Sequence, residues 1–145
     1  PSQWIWGDMG NYFGAGACGL TYSDNKYAVL FNSGSNGTKT SINKTIPVID
    51  GLKLINNVTV NGSSDNAFIF GASYTFDRFV NGTIPANKVN FEVFGSIPDP
   101  ALFCAQSLEK SLNKIGVKTT EKTTSVKILK DKICQQTTKK LHNIF

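Results

Sequence analysis

The sequence predicts an α+β fold that combines an antiparallel sheet with one clear helix. Residues 20–95 consist of short apolar runs separated by clusters of Asn, Ser, Gly and Asp. The first clear helical pattern begins only near residue 99. Strands followed by a helix are typical of α+β proteins, because α/β proteins alternate the two elements. The chain has 145 residues, 40% of them hydrophobic, which suffices for a core without a metal or disulfides.

Alternating apolar residues bounded by turn clusters predict the strands. The predicted strands cover residues 20–31, 46–60, 67–76, 77–84 and 88–95. Asp50-Gly51 separates two apolar runs within residues 46–60 and predicts a hairpin at that point. Asn81-Gly82 predicts a turn or a bulge within residues 77–84.

A helix is predicted after residue 99, because Asp99 suits an N-cap, Pro100 suits a first turn and Gly116 suits a C-terminal stop. Its apolar residues form one stripe at helical spacing, which comprises Ala101, Ala105, Leu108, Leu112 and Ile115. We therefore expect Leu108 and Leu112 to be buried against the sheet. Residues 117–124 predict a loop, and residues 126–141 fit either a helix or a strand.

The positive charge of the chain is concentrated in its last third. The formal net charge is +5, but residues 1–100 carry 6 Lys and Arg against 7 Asp and Glu. Residues 101–145 carry 9 Lys against 3 acidic residues. No arginine or interleaved aromatic accompanies these lysines, so we interpret them as a solvated basic face and predict no nucleic-acid partner. No apolar run approaches the roughly 20 residues of a membrane span, so none is predicted.

Neither a metal nor a cofactor is predicted. Cys18, Cys104 and Cys134 lie far apart without CxxC spacing, and His142 has no companion at ligand spacing. We expect three separate, mostly buried thiols. Residues 14–19 spell GxGxxG, but a strand-like segment follows where a dinucleotide site needs a helix. We interpret these glycines as a tight turn packed against another surface.

Several short motifs occur in unsuitable contexts. Asn-x-Ser/Thr triplets, the acceptor motif for N-glycosylation in secreted eukaryotic proteins, begin at Asn36, Asn43, Asn57, Asn61 and Asn81. Because the chain is rich in Asn, Ser and Thr, we interpret these triplets as chance occurrences. Ser-x-x-Lys occurs at Ser41, Ser107 and Ser111, among other positions, and Ser-Asp-Asn occurs at Ser23 and Ser64. In penicillin-binding enzymes such motifs surround a nucleophilic serine, but no Lys-Thr-Gly accompanies them here. We interpret each copy as a coincidence and predict no catalytic residue.

Two longer segments are more specific. Residues 4–15 read WIWGDMGNYFGA and residues 95–103 read GSIPDPALF. With LINNVT at residues 54–59 between them, they resemble the D-alanyl-D-alanine carboxypeptidase/endopeptidase family of penicillin-binding proteins, the DacB type. The resemblance spans nearly the whole chain and is weakest over residues 117–136. It implies a periplasmic or extracytoplasmic serine-type hydrolase that needs no metal or cofactor.

The resemblance also implies which part of the family's architecture this chain represents. The catalytic domain of the family is split, and an α+β domain with a nested β domain is inserted between its halves. The chain matches this inserted region, so the three true catalytic motifs are expected in the rest of a longer protein. Residues 1–45 and 96–145 would form the larger lobe, with residues 1–15 as a candidate active-site lip. Residues 46–95 would form the nested lobe.

One substrate-binding element of the family falls within this chain. By the resemblance, Asp8 and Phe13 take the positions that meet the amino-bearing end of the peptidoglycan stem peptide, with Trp6 beside them. A carboxylate pairs with an ammonium group, and an aromatic wall covers a methylene stem. The alternative is that Asp8 only stabilises a turn.

The predicted function is therefore a non-catalytic insert of a peptidoglycan-acting DD-peptidase, inactive alone and in contact with the missing catalytic domain. A secreted β-rich module that binds a carbohydrate or a protein is the alternative.

Overall fold

The computed structural model describes residues 5–16 and 18–142, without the side chains of Trp6 and residues 136–142. The chain forms two compact units, Pro1–Pro100 and Ala101–Phe145. The strands are β1 (Lys26–Asn32), β2 (Ser41–Ile46), β3 (Lys53–Val60), β4 (Asn66–Phe70), β5 (Asp77–Ile84) and β6 (Phe91–Ser96), and the helices are α1 (Pro100–Lys114) and α2 (Val126–His142). The predicted α+β class is confirmed. Neither described helix combines the length and the apolar character of a membrane span.

The first sheet is antiparallel and has the order β2-β1-β6. Strand β1 lies in the centre, and five consecutive residues from Tyr27 to Phe31 are buried. A strand covered on both faces needs apolar residues at successive positions rather than alternation. The loose alternation over residues 20–31 therefore placed the strand correctly but began it too early. A 3-10 turn, Ser23–Asn25, precedes the strand.

The second sheet has the order β3-β5-β4 and is mixed rather than purely antiparallel. Strand β3 runs parallel to β5, whereas β4 pairs with β5 in the antiparallel direction. Its two outer strands are thus both hydrogen-bonded to β5. The buried side chains Val58, Ile69 and Val80 contribute to its core.

Two turn predictions within residues 46–84 were wrong. Gly51 does adopt a turn conformation with φ +81°, but β2 and β3 on either side belong to different sheets, so no hairpin forms. Asn81 and Gly82 lie inside β5 in unbroken register with β4. Gly82 has φ +119°, and a Cβ there would lie 2.0 Å from the carbonyl oxygen of Asn66. This glycine permits a close strand approach rather than a turn.

Both edges of the second sheet are engaged by other parts of the chain. Along β3, the amide of Val60 donates to the carbonyl of Thr38 at 2.9 Å, and the amide of Gly37 donates to the carbonyl of Val60 at 2.9 Å. Thr40 donates its amide to the Val58 carbonyl at 3.2 Å. At the other edge, the amide of Ile69 in β4 donates to the side chain of Asn11 at 2.8 Å.

A buried arginine and a buried tyrosine lie in the core of the first unit. Arg78 of β5 is 0% exposed and donates from Nη1 to the Ala72 carbonyl at 2.8 Å and the Thr75 hydroxyl at 2.9 Å. The Tyr27 hydroxyl is buried beside this guanidinium group, and among the described residues neither the hydroxyl nor Nε and Nη2 of Arg78 forms a hydrogen bond of good geometry. Burial raises the pKa of Tyr27 to about 12, although the positive charge of Arg78 acts to lower it. Burial likewise lowers the pKa of Arg78.

We expect the stability of the fold to fall above pH 10 because of Tyr27. Its raised pKa means that the unfolded chain releases this proton near pH 10, whereas the folded chain holds it until about pH 12. Between these values deprotonation stabilises the unfolded state relative to the folded state. The free energy of unfolding is therefore about 2 kcal/mol lower at pH 11.5 than below pH 10. The free energy of unfolding can be measured with urea at pH 9 and at pH 11.5. Its decrease between these pH values should be larger in the parent chain than in Tyr27→Phe, by this amount. Equal losses in both proteins would contradict the burial of this hydroxyl.

In the second unit, α1 ends at Lys114 and Gly116 follows with φ +84°, as the sequence predicts. The expectation for Leu108 was wrong, because its side chain is 59% exposed, and Leu112 is only half-buried. Leu102 and Phe103 are the buried residues of α1. The apolar stripe was assigned from spacing alone, and spacing does not show which face is covered.

The residues after α1 settle the open question about residues 126–141. They form the helix α2, which begins after Ser125, whose carbonyl accepts from the Leu129 amide at 3.1 Å. The predicted loop before it folds back toward α1, because Thr123 and Thr119 donate hydrogen bonds to the Glu109 carboxylate. These bonds, that from Thr123 first, lower the pKa of Glu109.

The cysteines form no disulfide, so the expectation of separate thiols is confirmed. The expectation that they are mostly buried was wrong. Cys18 and Cys104 are half-buried, and Cys134 is exposed.

Candidate functional site

The N-terminal segment, residues 5–16, folds as two short 3-10 turns, Trp6–Asp8 and Tyr12–Gly14. Asn11 lies between them and is buried, with 4% of its surface exposed. Its amide donates to the Asp8 carbonyl at 2.9 Å, and its side-chain oxygen accepts the Ile69 amide at 2.8 Å. One asparagine therefore both joins the two turns and fixes the segment to β4.

The same segment is also hydrogen-bonded to β6. The Ser96 amide donates to the Gly10 carbonyl at 3.0 Å, and the Ser96 hydroxyl donates to the Met9 carbonyl at 2.7 Å. Asn11 and Gly95 form an antiparallel bridge beside these bonds. The segment is thus attached to one strand of each sheet.

Two glycines allow this attachment. A Cβ on Gly10 would lie 2.2 Å from the carbonyl oxygen of Ile69 and 2.7 Å from the amide nitrogen of Gly71. A Cβ on Gly14 would lie 1.9 Å from the carbonyl oxygen of Asp8. Gly14 is the first glycine of the GxGxxG pattern, and no helix follows that pattern among the described residues. The geometry matches a tightly packed turn, as the sequence indicates.

The structure places Asp8 and Phe13 in consecutive turns of this segment. Asp8 is half-buried, and Phe13 is 53% exposed with its ring against that of Tyr12 at a centroid distance of 5.3 Å. The third predicted residue, Trp6, has a side chain that lies outside the described residues.

Phe13 borders an aromatic cleft of about 320 Å³ between the N-terminal segment, β4 and β6. The cleft is lined by Asn11, Tyr12, Phe13, Asp65, Ala67, Phe68, Glu92, Val93 and Phe94. The rings of Tyr12 and Phe94 meet edge to face at 5.9 Å. Asp65 and Glu92 are exposed carboxylates of the lining.

Sequence reasoning identified Phe13 in this lining but missed the residues that strands contribute. Asp8 is not among the residues that line the cleft, so its carboxylate and those of the cleft are separate groups. A signal was available in β4, where Phe68 and Phe70 are exposed on either side of the buried Ile69. Large aromatics on the solvent face of a strand commonly mark a contact surface.

The structure gives the local settings of three of the serine motifs. Ser111 donates its hydroxyl to the Ser107 carbonyl one turn earlier on α1, at 2.9 Å. In the turn before β4, the Ser64 hydroxyl forms a hydrogen bond of 2.8 Å with the Thr83 hydroxyl. Ser41 begins a strand rather than a helix.

Solved structures similar to this chain include two of penicillin binding protein 4 (dacB) from Haemophilus influenzae. The first has a TM-score of 0.54 at 17% sequence identity, and the match covers 84% of this chain and 29% of that one. The second, complexed with a novel β-lactam, has a TM-score of 0.48 at 16% identity, with coverages of 71% and 26%. The chain thus spans under a third of the length of these proteins. The first likeness shows the fold alone.

No curated protein sequence matches the chain. The sequence model of the D-Ala-D-Ala carboxypeptidase 3 (S13) family matches residues 1–145, from the first residue to the last. The resemblance carried by residues 4–15, 54–59 and 95–103 is confirmed, and the chain belongs to the D-Ala-D-Ala carboxypeptidase 3 (S13) family.

Proposed function

We propose that this chain is the non-catalytic insert region of a periplasmic serine-type D-Ala-D-Ala carboxypeptidase/endopeptidase that acts on peptidoglycan. The observation that carries the proposal is a family match over all 145 residues in a sequence that contains no Lys-Thr-Gly. The nucleophile and its lysine would then belong to the rest of a longer protein. That protein would react through an acyl-serine intermediate without a metal or cofactor.

We also propose the nested arrangement of lobes for this region. Residues 1–45 and 96–145 form the larger lobe, and residues 46–95 form the smaller one. The strand order supports this division, because β3, β4 and β5 come from one continuous stretch of chain and form one sheet. Strands β1, β2 and β6, which flank that stretch, pair together in the other sheet.

Within this region, residues 1–15 are proposed as a lip of the active site, in contact with the catalytic domain. Asp8 would pair with the ammonium group of the peptidoglycan stem peptide, and Phe13 would cover the methylene groups beside it. The placement of both residues on adjacent turns, with the Phe13 ring largely exposed, supports this role. Trp6 would extend the aromatic wall.

The proposal predicts that the chain alone does not react with penicillins. Acylation needs the nucleophile, its lysine and an oxyanion site held together, and these are proposed to lie elsewhere. Incubation with a fluorescent penicillin should leave the intact mass unchanged, and a stem-peptide mimic should release no D-alanine. A complete member of the family serves as the positive control. A stoichiometric adduct would overturn the proposal and would direct attention to Ser107 and Ser111.

A further inference from the structure

We propose that the outer face of the second sheet binds an uncharged glycan strand of N-acetylated sugars, which is the chemistry of the peptidoglycan backbone. The residues of this face alternate with buried core positions along the three strands and are Ile55, Asn57, Phe68, Phe70, Phe79 and Asn81. The choice of this polymer rests on the proposed function. The face itself contains none of the residues of the proposed lip, and it would give residues 46–95 a binding role of their own.

The strand register brings these side chains into two adjacent rows. Ile55 pairs with Phe79, and Phe79 pairs with Phe70, so the first row crosses all three strands. The second row consists of Asn57, Asn81 and Phe68. Neighbouring strands are about 5 Å apart, so the side chains of a row lie next to one another. Aromatic rings and carboxamides thus share one continuous surface.

The apolar residues of this face are open to solvent. Phe79, Phe68 and Phe70 are 45%, 42% and 36% exposed, and Ile55 is 43% exposed. A cluster of exposed apolar side chains commonly marks a contact site. Sugars suit aromatic rings in particular, because a pyranose ring presents a face of C–H groups that packs on an aromatic face while its hydroxyl groups stay in water. Sheet faces bind oligosaccharides in other β folds.

The polar groups of the face are carboxamides, which match an acetamido sugar. Asn57 donates from Nδ2 to Oδ1 of Asn81 at 2.9 Å, and among the described residues these two side chains form no other hydrogen bond. Oδ1 of Asn57 and Nδ2 of Asn81 therefore remain as an acceptor and a donor for a ligand. An acetamido group offers one N–H and one C=O, so it can bond to both. Ile55 lies two residues from Asn57 on the same face, where it can contact the methyl group.

The charge of the face favours an uncharged ligand. Lys53 and Asp77 precede the two rows on β3 and β5, are partners in register and are both exposed, so their formal charges cancel. An anionic polymer would meet one lysine and a cationic peptide one aspartate, and neither gains a complementary surface. In peptidoglycan the lactyl carboxyl groups of the backbone are bound to the stem peptides as amides. The glycan strand there carries no charge of its own.

Nuclear magnetic resonance titration of the isotopically labelled chain tests the inference. The probe is chitotetraose, the β-1,4-linked tetramer of N-acetylglucosamine. It should shift the amide signals of residues 53–57, 68–70 and 79–81 with saturation. Cellotetraose has the same linkage but lacks the acetamido groups. It should bind about fivefold more weakly, which corresponds to the loss of one hydrogen bond between neutral groups.

Substitutions at Phe79 separate ring stacking from general apolar contact. Phe79→Ala and Phe79→Leu should each weaken chitotetraose binding about five- to tenfold, because neither keeps an aromatic ring, whereas Phe79→Tyr should bind like the parent chain. Asn57→Ala should weaken binding about threefold to tenfold. Val89→Ala is the matched control, because Val89 is a 78% exposed apolar residue outside this face and its replacement should leave the affinity unchanged.

Saturable binding that follows the aromatic ring at position 79 supports the inference. No binding of chitotetraose, equal binding of cellotetraose, or full affinity in Phe79→Leu would overturn it. Concentration-dependent shifts of the same residues without sugar would show that the face joins two copies of the chain, which also overturns it. The proposed function is tested by penicillin acylation, which needs no glycan bound to this face, so the two proposals can fail separately.

Discussion

Gly10→Ala should destabilise the chain by about 3 kcal/mol, at the upper end of the usual cost of overpacking. The added methyl carbon would lie 2.2 Å from the Ile69 carbonyl oxygen and 2.7 Å from the Gly71 amide nitrogen. Both are backbone atoms, so no side-chain rotation can relieve the contact. Either β4 or the N-terminal segment must move, and the Asn11 to Ile69 hydrogen bond is lost with it. The difference should appear as a lower urea midpoint.

Gly7→Ala is the matched control in the same segment. A Cβ on Gly7 has nothing within 4 Å, and the residue has no positive φ that would strain an alanine. It should unfold at or slightly above the midpoint of the parent chain. If the two variants unfold together, the close docking of the segment on β4 is wrong.

Asp8→Asn in the full-length protein should lower kcat/KM roughly ten- to hundredfold for substrates with a free distal amine. The proposed charge-assisted contact is worth about 1.5–3 kcal/mol, and this energy is lost when the carboxylate becomes an amide. The backbone carbonyl of Asp8, which accepts from Asn11, is unchanged by the substitution. The loss should therefore reflect recognition rather than folding.

Acylation by a penicillin that lacks such an amine separates recognition from damage. The rate of that reaction should change little in Asp8→Asn. Parallel losses in both reactions would instead mean that Asp8 only stabilises its turn, which is the alternative that the sequence leaves open.

The strands were largely predictable because their signals are local. Apolar alternation and turn residues gave both ends of β5, the start of β4 and, within about three residues, β6, and Gly116 marked the end of α1. The predicted strand at residues 67–76 continued past the end of β4 at Phe70, and β2 was not predicted. Pairing was not predictable in the same way. The parallel alignment of β3 with β5 depends on contacts between residues far apart in the chain, and Asp50-Gly51 looks the same whether it joins paired strands or leads from one sheet to another.

The candidate site was likewise predictable only where its residues lie close together in the sequence. Phe13 was found because it lies in a contiguous motif, whereas Phe68 and Glu92 come from strands that are separated in sequence and lie close together only in the folded chain. The error at Leu108 has a related cause. An apolar stripe at helical spacing predicts one covered face, but the covering surface is not encoded in the stripe itself.

The hydrogen bonds at both edges of the second sheet also bear on self-association of the protein. An open strand edge can recruit a strand from another molecule, and such pairing is a common route to aggregation. Here residues 37–40 form hydrogen bonds along the edge of β3, and the side-chain oxygen of Asn11 accepts a hydrogen bond from the Ile69 amide of β4. Loss of the N-terminal segment would uncover β4, whose exposed Phe68 and Phe70 flank that amide. The N-terminal segment thus occupies the Ile69 amide, which is then not open to a strand from another molecule.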